Sequence, residues 1–411
     1  MRSSIKLSLA LIVALILPSV VSAQEKGPAF WLDWATEEAA LIKVDLNDSW
    51  DGAYFKSTVH YKIALAELRA KRPEKAKAQL SEIIQIAESV LNDPAERPGD
   101  QPFPAWTYGY VHGLGAVIRV PDMPAAPSEV SRPNQLYAAA VEAQAHIATG
   151  DRQAFKKAQD RWWRLTSDPN EMRQTIARKE KYLHLGHGSA WEMARLARRA
   201  DNKELLGILT APGWTDWAER TVTKAIYAQT TRIDSHPEFS EKVLEGLVIK
   251  GFEKAQQHYA DQETEPKRRT HHDNGPGDYQ FGYHAGLDGC LAETVAAIWV
   301  IRGRAEAMTF GRIHGEPKGP WRLPAAMQAA LMLRKTDQAR ESTEALDFAL
   351  QLRLGKDEVP APADIHDLAR ELTVQGRAAD VQRRIVKAYK DPVSRSSAAI
   401  GIAMGLMDGA P

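Results

Sequence analysis

Residues 73–91 read PEKAKAQLSEIIQIAESVL, and their pattern decides the fold class. Ala76, Leu80, Ile83, Ile84, Ala87 and Leu91 recur at steps of three and four, which lines one face of a helix. Glu74, Lys75, Lys77, Gln79 and Glu82 fall mostly on the other face. Pro73 suits the first turn, where its missing N–H costs nothing. Upstream, residues 54–70 form a second helical pattern with Val59, Ile63, Ala66 and Ala70 on one side. The two, joined at Lys71-Arg72, make a helical hairpin.

The same unit recurs outward from this point. Residues 133–149 are helical, Gly150-Asp151 is a turn, and residues 152–166 are helical again with Phe155, Ala158, Trp162 and Leu165 facing inward. Further helices are expected over 291–301, 305–313, 325–333, 339–352, 365–374, 378–389 and 396–407. Gly303-Arg304-Ala305 matches Gly376-Arg377-Ala378, and each triplet is followed by Arg-Ile and then a proline (Arg312-Ile313 and Pro317; Arg384-Ile385 and Pro392). One helical hairpin cannot bury its own apolar face, so repeated hairpins must stack. Alternating β-branched runs between turn signals, the mark of strands, are scarce.

Here the chain resembles the tetratricopeptide-repeat superfamily. The resemblance is carried by Gly150-Asp151 with Ala154, by the closing Asp168-Pro169, and by Ala143 seven residues before the turn glycine. The stretch Asp391-Pro392, Arg395 and Gly401 to Leu406 is similar to degenerate bacterial helical repeats. The alanine after the Gly150 turn comes one position early and unit lengths are irregular, so the resemblance is to a TPR-like array. It implies an all-α fold of stacked hairpins in a superhelical solenoid, and a binding or scaffolding role without chemistry. An α/α toroid is the alternative. The two differ in one respect: a toroid brings the helices after Trp31 against those near Met407.

The first 23 residues have the layout of a secretory signal peptide. Arg2 and Lys6 are basic, residues 7–17 are apolar apart from Ser8, Pro18 breaks the run, and Val21 and Ala23 place small residues before Gln24. The run is about half of the ~20 residues that span a bilayer, so no membrane span is expected. The reading is therefore a signal peptide over 1–23 and a helical-repeat domain over 24–411, exported to the periplasm or the cell exterior. Cys290 is the single cysteine and permits no internal disulfide. Lys and Arg number 53, as do Asp and Glu, and losing Arg2 and Lys6 leaves a slight acidic excess. So balanced a charge provides no global field for nucleic acid.

Two segments interrupt the helical rhythm: a Pro-rich insert over 93–133 and a polar, Gly-rich loop over 261–289. Long loops carry function often enough to make these the first places to seek a site. The loop holds His271, His272 and Asp273, residue types that ligate transition metals, although Lys267, Arg268 and Arg269 beside them would repel a cation. A second pattern sets histidine beside glycine, at His112, His187 and His284. Such segments could line a concave surface, or the glycines could serve tight helix packing. Trp106, Tyr108 and Tyr110 in the insert are candidate partner contacts, with an exposed aromatic expected among them. The basic groups Arg302, Arg304 and Arg312 read as a solvated face.

Dinucleotide, P-loop, nucleophile-elbow and His-Glu-x-x-His signatures are not found. The expectation is a non-catalytic protein that binds a protein or peptide partner in the cell envelope, with no cofactor and a metal only at the His271 loop. The alternative is an exported α/α-toroid enzyme acting on a polysaccharide. Its paired carboxylates would come from Asp273, Asp278, Asp288 and Glu293.

Overall fold

The computed structural model describes residues 26–44, 51–91, 105–120, 123–124, 132–166, 241–254, 256–257, 287–315, 317, 319, 321–336, 338–353, 362–386 and 389–409. All the regular elements among them are helices: α1 (Pro28–Ala40), α2 (Asp51–Arg69), α3 (Pro73–Leu91), α4 (Ala105–Ile118), α5 (Arg132–Thr149), α6 (Arg152–Thr166), α7 (Leu287–Arg302), α8 (Arg304–His314), α9 (Arg322–Lys335), α10 (Ala339–Arg353), α11 (Pro362–Val374), α12 (Ala378–Val381) and α13 (Pro392–Gly409). Two π-helical stretches, Leu244–Ile249 and Gln382–Val386, complete the set. The fold is all-α. No described helix is long and apolar enough to cross a membrane.

Three of the hairpin turns share one geometry, whereas at Gly303 the N–H donates to the Trp299 carbonyl (2.9 Å). At Gly150-Asp151, the Gly150 N–H donates to the Ile147 carbonyl (3.1 Å) and the Asp151 N–H to the His146 carbonyl (3.0 Å). Gly376-Arg377 repeats this against Thr373 (2.9 Å) and Leu372 (2.8 Å), and Lys71-Arg72 against Leu68 (3.1 Å) and Glu67 (2.9 Å). This paired closure satisfies carbonyls left open at a helix end and needs a left-handed residue. Gly150 (φ +79°) and Gly376 (φ +76°) supply it freely, whereas Lys71 (φ +57°) does so with a side chain. Two helices start on side-chain caps, α6 and α13, whereas α12 after the Gly376 turn has none. Asp151 accepts from the Ala154 N–H (2.9 Å) and Asp391 from the Ser394 N–H (2.8 Å). Asp391-Pro392 thus opens α13, with Pro392 in its first turn.

The neighbour relations make two layers. One row runs α7–α9–α11–α13–α2–α5, each helix packed on the next. Against each member lies a second helix: α8 on α7, α10 on α9, α12 on α11, α1 on α13, α3 on α2 and α6 on α5. Two helices of the first row, α7 and α13, are apolar or small over long stretches, whereas α2 and α11 also carry charged residues. Residues 290–300 of α7 and 396–403 of α13 are buried without interruption. Such a pattern belongs to a helix with neighbours all round, and it explains the alanine- and glycine-rich sequence there. The second layer is amphipathic: α6 buries Phe155, Ala158 and Trp162 and exposes Lys156, Lys157 and Asp160. Each large apolar side chain buried this way contributes ~1.5–3 kcal/mol.

The first and last described helices lie against each other. Trp31, Leu32, Ala35 and Ala39 of α1 belong to the same core as Ala398, Ala399, Ile402 and Ala403 of α13. Ser396 Oγ donates to the Ala35 carbonyl (3.3 Å), Arg395 pairs with Glu38 (2.6 Å), and Arg395 lies over the Trp34 ring. An extended superhelix keeps its ends apart, so this contact bears on the choice of architecture.

Three elements depart from the sequence expectation, the first being α1, over a segment where no helix was expected. The Pro-rich insert contains α4, an apolar helix between flanking prolines, packed on α3 and α5. The helix expected over 378–389 is a short α12 passing into the π-helical Gln382–Val386.

Candidate functional site

The first-row helices α9, α11 and α13 end together, and a cleft of about 220 Å³ opens between their C-terminal halves. Met327, Gln328, Leu331, Arg334 and Lys335 come from one face of α9, Asp367, Arg370 and Glu371 from one face of α11, and Asp408 from the last turn of α13. The spacings of one, three and four within each helix place these residues side by side. Basic residues at the last turns of α9 and α2 (Arg334, Lys335 and Arg69) also offset the partial negative charge of helix C-termini.

The charges of the cleft are cross-linked between helices. Arg334 Nε donates to Glu371 Oε2 (3.1 Å), joining α9 to α11. Arg370 Nε donates to Asp408 Oδ2 (2.5 Å), joining α11 to α13. Arg69 pairs with the same Asp408 from α2. Burial opposes the Arg370 charge, but Asp408 outweighs it and holds Arg370 above its ordinary value. His366 Nδ1 lies 2.9 Å from Asp367 Oδ1. Burial nonetheless pushes His366 down to about 4, with Asp367 opposing the shift and Lys62 and Arg370 adding to it. His366 is therefore a neutral imidazole at pH 7.

The lining thus holds three cations (Arg334, Lys335 and Arg370) against three carboxylates (Asp367, Glu371 and Asp408), with Gln328, Met327 and Leu331 between them. Balanced, interlinked charges of this kind orient a ligand carrying both signs. Acid–base work on a glycosidic bond would instead require one carboxyl held protonated opposite a second one.

The residues singled out from the sequence lie elsewhere. Trp106 is in the first turn of α4, and its side chain is outside the described residues. Tyr108 is buried, as is Tyr110, and the Tyr108 ring lies tilted against His112 at 4.3 Å between centroids. Burial raises the Tyr108 hydroxyl pKa, with Arg161 opposing, and lowers that of the half-buried His112. The His112 segment sits mid-helix. A Cβ on Gly113 would meet Val141 Cβ at 2.6 Å and the Ala138 carbonyl at 2.7 Å. Close approach of α4 to α5 is thus what this glycine serves. His187, His284, His271, His272 and Asp273 lie outside the described residues, as do Asp278 and the side chain of Asp288. Among the described residues no group of three His, Cys, Asp or Glu side chains could hold a metal ion. Glu293 is fully buried in α7, away from the cleft lining. Arg304 and Arg312 are exposed, as a solvated face requires, while Arg302 is partly exposed, its Nε donating to Glu241 (2.8 Å) beside a pairing with Glu245.

The cleft residues had one faint signal in the sequence. Arg370-Glu371 and Arg334-Lys335 are charged pairs near the ends of otherwise apolar helices. Their partners lie 37 and 38 positions away along the chain (Arg334–Glu371, Arg370–Asp408), a separation no local pattern encodes. Compared with protein-family models, curated proteins and solved structures, the chain matches none of them.

Proposed function

We propose that this chain is an exported, non-catalytic helical-repeat protein of the cell envelope that holds a peptide segment of a protein partner in the cleft between α9, α11 and α13. The observation that carries the reading is the balance of three cations and three carboxylates beside Met327 and Leu331. A peptide offers both charge signs, amides for Gln328 and an apolar side chain for the small hydrophobic surface. The repeated hairpin turns at Lys71, Gly150 and Gly376 support a TPR-like array, and the layout of residues 1–23 supports export. The test is titration of the mature chain with a panel of labelled peptides of mixed charge. Arg334→Glu with Lys335→Glu should weaken binding at least tenfold. Equal binding by this variant would remove the cleft from the reading.

A second reading is favoured by one observation, the packing of α1 on α13. It is a ring of hairpins closed through its ends, the architecture of the α/α toroid, acting on a polysaccharide. Release of reducing ends from an envelope glycan, abolished by Glu371→Gln or Asp367→Asn, would establish it. Peptide binding without glycan turnover would dismiss it.

A further inference from the structure

The corner where α1 meets α2 and α3 holds a carboxylate in an unusual setting. Glu67, near the end of α2, is fully buried, and neither of its carboxyl oxygens receives a hydrogen bond. Its nearest cation is Arg72, whose Nε lies 3.0 Å from Oε2. Arg72 is shared: Nη2 donates to Asp33 Oδ1 (2.5 Å) and Nη1 to the Ala29 carbonyl (3.2 Å), both on α1. Lys75 of α3 stands 3.6 Å from the same Asp33 oxygen. On α3, Glu74 is paired with Lys77. Glu38 of α1 pairs with Arg395 of α13, and Asp408 of α13 with Arg69 and Arg370. Arg72 therefore clasps α1 to the α2–α3 turn across a buried carboxyl that it meets as an ion pair and not as an aligned hydrogen bond.

We propose that Glu67 is a proton-binding site that sets how firmly α1 is docked: the protonated carboxyl belongs to the closed corner, and ionisation of Glu67 favours its opening. The physical reason is the asymmetry of the two states. In the closed corner an ionised Glu67 is sealed from solvent, accepts no well-aligned hydrogen bond, and competes with Asp33 for one guanidinium. In the opened corner water solvates it. Burial, with a smaller push from Asp33 and against Arg72 and Lys75, raises this carboxyl from 4.5 to about 7. Because the raised value belongs to the closed form, the contribution of this group to docking is complete below 4.5 and is lost as pH rises to about 7. The α1–α13 contact depends on α1 being in place, so the same proton bears on the junction of the chain's first and last described helices.

The test is hydrogen exchange of backbone amides in residues 28–40 of the full mature chain at pH 5.5 and 8.0, corrected for intrinsic exchange rates. Closed and open values near 7 and 4.5 predict roughly a 30-fold loss of protection between those pH values. Glu67→Gln, which keeps the shape without the charge, should hold the acid-like protection at both. Asp33→Asn removes a neighbouring negative charge and should move the transition of the wild-type corner to lower pH. A wild-type change below threefold would overturn the proposal. So would a pH dependence that persists in Glu67→Gln, or an unmoved midpoint in Asp33→Asn should Glu67→Gln fail to fold.

Discussion

Three glycines on one helix allow a test of how α13 sits on α11. Gly401, Gly405 and Gly409 follow each other at steps of four along α13. A Cβ at Gly401 would press into the His366 carbonyl and stand 2.7 Å from Ala369 Cβ; at Gly405 it would meet Thr373 Cβ at 2.5 Å and the Arg370 carbonyl at 2.7 Å. At Gly409 the nearest atom is the Val374 carbonyl at 3.7 Å, an ordinary contact. Glycine-to-alanine replacement inside a helix is worth about 1 kcal/mol in favour of alanine. Overpacking costs ~1–3 kcal/mol, and the obstacle here is helix backbone, which places the cost at the upper end. Gly401→Ala and Gly405→Ala should therefore destabilise by about 2 kcal/mol each. Gly409→Ala should be neutral or stabilise by up to about 1 kcal/mol. Urea unfolding followed by circular dichroism reads these differences. The two inner replacements should also weaken the cleft, because they push α13 from α11 and stretch the Arg370–Asp408 pair. Equal stability of all three variants would refute the close α11–α13 approach, and with it the geometry of the cleft.

Other expectations follow from single sites. Gly150→Ala meets no atom within 4 Å, yet its φ of +79° is left-handed, so it should lose about 1 kcal/mol from backbone strain alone, read in the same urea unfolding. Trp321, 1% exposed, fills the space that Gly311 and Gly315 leave open. Trp321→Ala should cost ~3–5 kcal/mol in thermal or urea unfolding. His366 is neutral and buried, lowered from 6.5 to about 4, so its contribution is present above 6.5 and lost as pH falls toward 4. His366→Asn should flatten that acid decline, worth about 3 kcal/mol in full, in stability curves taken between pH 7 and 4. Glu67 acts in the opposite direction over nearly the same range, so variant-minus-wild-type differences are diagnostic where the wild-type curve alone is not.

Helix periodicity was the most legible feature because it is local. The expected spans 73–91 and 152–166 coincide with α3 and α6; of the others in the described residues, 54–70 overruns α2 by one residue, 378–389 is replaced by α12 and the π-helical 382–386 with Tyr389 outside any helix, and the rest lie within observed helices. The α1 and α4 segments were not read as helices. α4 is apolar on more than one side, so it lacks the stripe that periodicity detects, and the prolines around it read as loop punctuation although they only bound the helix; α1 does carry such a stripe, Trp31, Leu32, Ala35 and Ala39, which the sequence reading passed over. Asp391-Pro392, between the helices expected over 378–389 and 396–407, opens the second of them four residues early, because a capping carboxylate followed by proline suits a helix N-terminus.

The sequence by itself determined the all-α class, the hairpin unit and the glycines its turns need, since these depend on residues within a few positions of one another. Tertiary structure alone decided which helices became buried on all sides, how Glu67 was sealed behind Arg72, and which charges met in the cleft. It also decided that the α1 segment returns to α13, from residues 361 positions apart in the Ser396–Ala35 bond. Periodicity shows that a face is apolar. It does not show what covers that face, because burial is a property of the neighbours, and here they come from distant parts of the chain.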